Sequence, residues 1–213
     1  MSHECLSVRV QVPATTANLG PGFDVAGMAL NVYNVFDVEI APGSPDELEI
    51  TVEGEGQGKV PLDDRNLVAR ACRRAWEVGR WTPPGRVRLH LNNRVPTSSG
   101  LGSSATAIVG GLVAANRLMG EQLDVRTLLE IATEMEGHPD NVAAALLGGV
   151  TLAVAENGRL VDWICLPAPK IRVVAGIPDF QLPTRVARQA LPPTVNFEDA
   201  VFNVGRVSLL IAA

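Results

Sequence analysis

The 213-residue sequence predicts an α+β fold. Strand patterns dominate the first part of the chain, and helical patterns follow, interleaved with further strands. This order favours the α+β class over the regular strand–helix alternation of a doubly wound sheet. At about 150 residues per domain, the length fits one domain plus part of another as well as one compact unit.

The expected strands begin near the start of the chain. Apolar residues alternate with polar ones from Leu6 to Val12, which is the period of a half-buried strand. Stretches rich in Gly, Pro and Ser separate the early runs, as expected for turns between strands. Further runs rich in strand-forming residues lie at 32–40, 48–52, 87–91, 150–155 and 171–175.

Apolar stripes at helical spacing predict three helices in the middle of the chain. We expect Gly79 and Gly120 to end the first two, and Asp124 to cap the start of the third. Two later segments, around 184–190 and from Phe197 onward, are also expected to be helical. The three stripes cover residues 68–78, 105–112 and 125–135.

Composition and charge exclude several classes of protein. Apolar residues make up 46% of the chain, which excludes a disordered or low-complexity chain. The net charge of −5 argues against binding to nucleic acid or to an anionic membrane. The longest mostly apolar stretch, 142–155, is too short to span a bilayer, and the N-terminus does not have the pattern of a signal peptide. Because Cys5, Cys72 and Cys165 match no zinc template, we expect a reducing, cytoplasmic setting.

Two prolines in the stretch 166–169 mark an expected domain boundary. We expect residues 1–165 to form an N-terminal domain and residues 166–213 to begin a second one. The apolar stretch 207–213 has neither a glycine cap nor a polar tail, so we expect this second domain to be incomplete.

The strongest candidate for chemistry is the stretch Pro-Thr-Ser-Ser-Gly-Leu-Gly-Ser-Ser-Ala at 96–105, which follows a strand and opens a helix. Gly100 and Gly102 allow a tight turn and the close approach of a ligand to the backbone. Free N–H groups and the helix dipole favour an anion there, and the serines offer hydroxyls to phosphate or hydrated Mg²⁺. A glycine- and serine-rich loop with a serine N-cap is the alternative. No lysine is near in the sequence, so this is not a Walker A loop.

A second polar stretch, Pro13–Asp24, directly follows the first predicted strand. Asn18 and Asp24 carry side chains suited to an ammonium or hydroxyl group. The alternative is an Asx turn that simply joins two strands.

A third stretch, Glu134–Asn141, follows the third predicted helix and contains His138. A solvated or capping histidine is the alternative to a functional one. Glu130 and Glu134 are four residues apart and project from one helix face. One of them could meet a metal near the serine-rich loop, because Mg²⁺ takes few carboxylates and keeps several waters.

Together these stretches resemble the GHMP kinases, a superfamily of small-molecule kinases. The stretch 96–105 looks like the superfamily's ATP loop, whereas 13–24 and 136–143 resemble the homoserine kinase family. The resemblance extends to 182–192 and so covers nearly the whole chain. It implies a GHMP kinase fold, with an N-terminal domain like ribosomal protein S5 domain 2 and an incomplete, ferredoxin-like C-terminal domain.

The resemblance implies transfer of the γ-phosphoryl group of ATP to the hydroxyl of L-homoserine, an early step toward threonine. It implies Mg²⁺ bound by Ser104 and a helix carboxylate, with Glu134 favoured over Glu130 because it fits the family's Glu-x-Glu-Gly pattern. It also places Asn66 near the nucleoside. The expected ATP-loop contacts are Pro96, Thr97, Ser98, Ser99, Gly100, Leu101, Gly102, Ser103, Ser104, Ala105 and Thr106.

L-Homoserine is a zwitterion, so its site needs acceptors for an ammonium and donors for a carboxylate. The resemblance assigns Asp24 to the ammonium, and Thr184 with Arg188 to the amino acid. An arginine fork suits a carboxylate because it binds both oxygens, and we expect the nearby Arg185 to be solvated. The residues expected at the hydroxyl end are Asn18, His138 and Asn141.

Asn141 stands where several GHMP relatives place an aspartate as general base. An amide cannot take a proton at neutral pH, so we expect catalysis by positioning and charge neutralisation. The hypothesis is that the substrate proton passes to phosphate while Asn141 orients the hydroxyl.

Alternatives to a homoserine kinase stay open at this point. One is another GHMP kinase, of the mevalonate or shikimate type. Another is a nucleotide-binding module without turnover, because the family's third glycine-rich loop and a second substrate arginine do not occur in this sequence. An RNA-binding module is disfavoured by the negative charge. We expect no nucleic-acid or membrane partner, and a homodimer is left open.

Overall fold

The computed structural model describes residues 6–168, 170–177 and 184–212. Within these ranges, the strands are β1 (Leu6–Ala17), β2 (Ala26–Ala41), β3 (Leu48–Gly54), β4 (Arg86–Asn93), β5 (Val150–Glu156) and β6 (Arg159–Leu166). The helices are α1 (Leu67–Val78), α2 (Ser103–Leu118), α3 (Val125–Glu136), α4 (Asp140–Leu147), α5 (Thr184–Gln189) and α6 (Phe197–Ala212).

The long strand β2 organises the sheet. Along one edge it pairs antiparallel with β1, from Leu6 opposite Ile40 to Ala17 opposite Gly27. Along the other edge its second half pairs with β4 and its first residues pair with β5. Among the described strands the sheet order is β3-β4-β2-β5-β6, and β3 and β4 are the one pair that runs parallel. The ends of β1, β2 and β5 therefore meet at one place, where the α4 helix also packs.

A layer of helices covers one face of the sheet, and the core lies between them. The central helix α2 packs against β1, α1 and α3, while α4 packs against β1, β2 and β5. The largest fully buried side chains come from both layers, and they include Phe36, Leu89, Leu91, Ile108, Leu112 and Leu129. The opposite face carries cross-strand ion pairs such as Arg9 with Asp37 and Arg88 with Glu49. This charged face is typical of a sheet surface open to water.

The close approach of α2 to the sheet depends on Gly110. A Cβ atom at this position would lie 2.2 Å from Cδ2 of Phe36, which is fully buried in β2. That distance is far inside van der Waals contact, so no larger residue fits without moving the helix or the ring.

Periodicity predicted most of these elements. The α+β class is confirmed, and the predicted runs at 6–12, 32–40, 48–52, 87–91 and 150–155 all lie within strands. The three central helices, the caps at Asp124 and Gly79, and both later helices are also present.

Three segments differ from the prediction. Residues 171–175 form no strand, because no neighbouring strand among the described residues pairs with them. The apolar run 142–147, for which no element was predicted, lies in the helix α4, and none of the residues of α4 is exposed, so the run shows no helical stripe. Strand β6 was missed, although Asn157 and Gly158, both with positive φ, form the type of two-residue turn that joins hairpins.

In the part of the chain that the structure describes, no helix has the length and apolar character needed to cross a membrane.

We expect Gly110→Ala to lower the free energy of unfolding by about 1–3 kcal/mol, because the added methyl overpacks against Phe36. Urea unfolding monitored by circular dichroism measures the change. Gly205→Ala in α6 is the matched control, because nothing lies within 4 Å of its added Cβ. An equal loss in both variants would contradict the packing explanation.

Candidate active site

A cavity of about 640 Å³ opens where the end of β1, the middle of β2 and the end of β4 meet the start of α2. Its walls come from segments far apart in the sequence: the turn after β1, the loop before α1, the loop 97–102, the end of α3 and the start of α4. Arg188 of α5 closes one side. The three polar stretches singled out by sequence thus surround a single space.

The loop before α2 is held by buried polar groups of the sheet. Asn34 Oδ1 in β2 accepts the backbone N–H groups of Arg94 and Val95 at 2.8 and 2.9 Å. The same side chain donates through Nδ2 to the hydroxyl of Thr106 at 2.8 Å. The loop is therefore attached to the sheet at both of its ends.

Gly102 is the N-cap of α2 and has a left-handed φ of 68°. It offers no side chain to the first N–H groups of the helix, which have no intrahelical partners. Those N–H groups and the helix dipole therefore form an anion-binding feature at the cavity. The alternative drawn from the sequence, a serine N-cap, is not what the structure shows.

The residues predicted to contact ATP divide into two groups. Ala105 and Thr106 are fully buried in the α2 packing, and Pro96 and Leu101 do not line the cavity. The members that line it are Thr97, Ser98, Ser99, Gly100, Gly102, Ser103 and Ser104.

Ser104 has a carboxylate partner, but it is not the predicted one. The Ser104 hydroxyl donates to Glu136 Oε1 at 2.5 Å, and both residues line the cavity. Glu134 accepts instead from Arg74 of α1 at 3.2 Å, and 64% of its side chain is exposed. Residues that are two positions apart in a helix point in directions about 200° apart around its axis. Glu134 and Glu136 therefore face opposite sides of α3. Glu134 therefore does not meet Ser104 in this structure, and Glu130 pairs with Arg126. Their role as Mg²⁺ ligands stays a prediction.

The oxygen atoms of Ser104 and Glu136 fit Mg²⁺, which prefers such ligands and takes few of them from protein. Among the described residues, no group of three or more His, Cys, Asp or Glu side chains could hold a metal. A Mg²⁺ ion here would accordingly depend on this hydroxyl, this carboxylate, waters and the oxygens of a bound phosphate.

Arg188, which lines the cavity, forms a two-pronged ion pair with Asp24. The guanidinium donates to both carboxylate oxygens at 2.7 and 2.5 Å, and this hydrogen bonding raises the pKa of Arg188. Asn18 shapes the turn, because its Oδ1 accepts the backbone N–H of Asp24 at 2.9 Å. Both Asn18 and Asp24 have φ of 58°. The side chains of Thr184 and Arg185 lie outside the described residues.

His138 and Asn141 lie side by side on the cavity wall, with a buried carboxylate behind them. His138 Nδ1 is 2.6 Å from Asp140 Oδ1, and this hydrogen bond, acting against burial, raises the pKa of the histidine. Asp140 is fully buried and also accepts the backbone N–H of Asn141 at 2.8 Å. The Thr15 hydroxyl donates to Asn141 Oδ1 at 2.8 Å.

Asn66 lines the cavity, but its side chain is committed to local structure. Its Oδ1 accepts from the N–H groups of Val68 and Ala69, and its Nδ2 donates to the Pro61 carbonyl at 2.8 Å. It therefore caps α1 and shapes the wall, while contact with a nucleoside stays a prediction.

Sequence reasoning missed four residues of this site. Glu136 could have been found from helical geometry, because it faces away from the Glu130–Glu134 side of α3. Lys59 lines the cavity although no lysine is near the loop in sequence. No sequence pattern indicates the roles of Thr15 and Asp140, because these roles depend on partners that only the fold brings close.

Comparisons with known proteins agree with this architecture. The GHMP kinases N terminal domain matches residues 66–149. The homoserine kinase of Carboxydothermus hydrogenoformans is 53% identical over 207 residues, which are 97% of this chain and 66% of that protein. Those of Moorella thermoacetica and Desulfitobacterium hafniense are 48% and 46% identical, with 96% and 97% of this chain and 67% and 68% of theirs covered. The chain thus spans about two thirds of the length of these curated relatives.

Solved structures extend the likeness to three dimensions. The crystal structure of homoserine kinase from Cytophaga hutchinsonii is 32% identical, with a TM-score of 0.82 over 97% of this chain and 66% of that one. L. major mevalonate kinase, solved in complex with R-mevalonate, is 19% identical, with a TM-score of 0.56 over 76% of this chain and 52% of that one, and shows the shared fold alone. By its sequence identity to these relatives and by its structure, the chain belongs to the homoserine kinase family of the GHMP kinases.

Proposed function

We propose that the protein is an ATP-dependent kinase that phosphorylates the hydroxyl of L-homoserine to give O-phospho-L-homoserine. The observation that carries the proposal is that Arg188, paired with Asp24, lines the same cavity as the N-terminus of α2. A carboxylate and a guanidinium together complement the ammonium and carboxylate of a free amino acid. The anion-binding helix start complements the phosphates of a nucleotide.

At the nucleotide end, the backbone of residues 97–104 would hold the phosphates of ATP through N–H groups. Ser104 and Glu136 would hold Mg²⁺. When bound, that ion would neutralise charge on the phosphate oxygens, which is a large part of catalysis in phosphoryl transfer.

At the acceptor end, Asp24 would take the ammonium of L-homoserine and Arg188 its carboxylate. His138 and Asn141 would orient the hydroxyl toward the γ-phosphorus. The hydroxyl oxygen forms a bond to that phosphorus as the bond to the ADP oxygen breaks, and the hydroxyl proton passes to the phosphoryl oxygens. No side-chain base is required, because such transition states are loose and depend mainly on positioning.

A cytoplasmic location stays a prediction that follows from the composition, and a homodimer stays an open possibility.

We expect ADP release in the presence of MgATP and L-homoserine, and none above background with mevalonate or shikimate. A coupled ADP assay on the 213-residue chain measures this, with MgATP binding determined by calorimetry on the same sample. Turnover with another acceptor would support a different GHMP kinase. MgATP binding without turnover on any acceptor would favour a nucleotide-binding module.

We expect Glu136→Gln to weaken MgATP binding by about 10-fold or more, because it removes the charged oxygen ligand beside Ser104. Glu134→Gln is the matched control on the same helix, and it should leave binding unchanged, since Glu134 faces Arg74. Calorimetric titration with ATP, with and without Mg²⁺, measures both variants. If Glu134→Gln weakened MgATP binding more than Glu136→Gln did, Glu134 would be the Mg²⁺ ligand, as the sequence predicted.

We expect Arg188→Lys to raise the KM for L-homoserine by about 10-fold while changing kcat and the KM for ATP little. Lysine keeps the charge but cannot grip a carboxylate with two parallel hydrogen bonds. Arg172→Lys, at an exposed position, is the control. If Arg188→Lys changed only the KM for ATP, Arg188 would contact the nucleotide and not L-homoserine, which would contradict the assignment.

A further inference from the structure

We infer that Thr15 is a positioning residue that holds the Asn141 amide in one orientation, with its Nδ2 group presented to the acceptor hydroxyl. The identity of the acceptor rests on the proposed function. The orientation of the amide is independent of it.

Thr15 is fully buried in β1, and its hydroxyl donates to Asn141 Oδ1 across 126 positions of sequence. A buried hydroxyl that loses its partner costs free energy, so this bond is strongly preferred over none. The space around it is full, because a Cβ on Gly102 would lie 1.9 Å from Thr15 Oγ1 and 3.2 Å from Asn141 Oδ1. The backbone N–H of Thr15 also donates to the Leu101 carbonyl at 3.1 Å.

The other side of the amide faces Asp140. Asn141 Nδ2 lies 3.5 Å from Asp140 Oδ1, and the backbone N–H of Asn141 donates to that same oxygen. An ionised carboxylate only accepts hydrogen bonds, so the amide atom beside it must be the nitrogen. The amide oxygen is thereby left to face Thr15. Asp140 thus selects one of the two orientations that an amide can adopt. The Thr15 hydroxyl, which is able to donate or accept, donates to the oxygen of that orientation and holds it in place.

The selected orientation decides what Asn141 offers to a substrate. An N–H donor binds the lone pair of a hydroxyl oxygen and leaves the O–H proton free to point elsewhere. An amide turned the other way would instead attract that proton toward Oδ1 and away from the phosphoryl group. Thr15 touches no substrate in this arrangement and acts only through Asn141.

The first test needs no ligand. In the nuclear magnetic resonance spectrum of the chain, the Nδ2 protons of Asn141 are assigned by their loss in Asn141→Asp. We expect these protons to exchange with solvent about 10-fold faster in Thr15→Val than in the wild type, because the amide is freed, and Thr15→Ser to restore slow exchange. Thr151→Val is the matched control, because Thr151 is an equally buried strand residue whose hydroxyl has no partner among the described residues. Unchanged exchange in Thr15→Val, or equally fast exchange in Thr151→Val, overturns the inference.

The second test separates positioning from general loosening of the site. We expect Thr15→Val to weaken L-homoserine binding about 5- to 10-fold with MgATP affinity held within about 2-fold, and Thr15→Ser to bind both like the wild type. Equal weakening of both ligands overturns the positioning role. If the wild type binds no L-homoserine while the exchange test succeeds, the proposed function fails and the orientation of Asn141 stands.

Discussion

The contact between the end of β1 and the first residue before α2 is the constraint on which the site depends. Thr15 lies against Gly102 so closely that no Cβ fits between them. The same glycine has a left-handed φ, which only glycine adopts without strain. Because this contact sets the direction of α2, it determines where the free N–H groups of the helix point. A shift of this junction would move the phosphate-binding end and Asn141 together.

Several charged groups at the cavity are already paired within the protein. Asp24 is matched with Arg188, and His138 with Asp140, while Glu136 accepts from Ser104. Such pairing limits the cost of burying charge and holds each side chain in one place. A substrate then exchanges partners with groups that are already oriented, and little reorganisation is needed during the reaction.

The sequence predicted the architecture more completely than the site. Strand β1 and helices α1 and α3 each bury one face. Their apolar residues therefore recur with the period of a strand or a helix, and this period predicts the element. Helix α4 is buried on nearly all sides, and its apolar run has no period that would distinguish it from a strand. The three polar stretches were found because each combines turn residues with side chains that suit a small ligand, and together they match the motifs of one family.

The partners within the site could not be derived in the same way. Glu136 was passed over for Glu134 because a motif does not state which face of α3 meets the cavity. Thr15 and Asn141 are 126 positions apart, and their hydrogen bond exists only because β1 and α4 pack together. From the sequence, Asp140 would be expected to be a polar turn residue. The fold shows that it is fully buried behind His138.

The attachment of α5 differs in physical character from the rest of the cavity. Its described contact with the N-terminal turn is the ion pair of Arg188 with Asp24, joined by stacking of the guanidinium on Phe23 at 5.6 Å. Both side chains of the pair are about one third exposed, at 37% and 33%. Exposed ion pairs contribute about 0–1 kcal/mol and are screened by salt, whereas the packed core is not. Salt therefore weakens this contact of α5 more than it weakens the packing of the core.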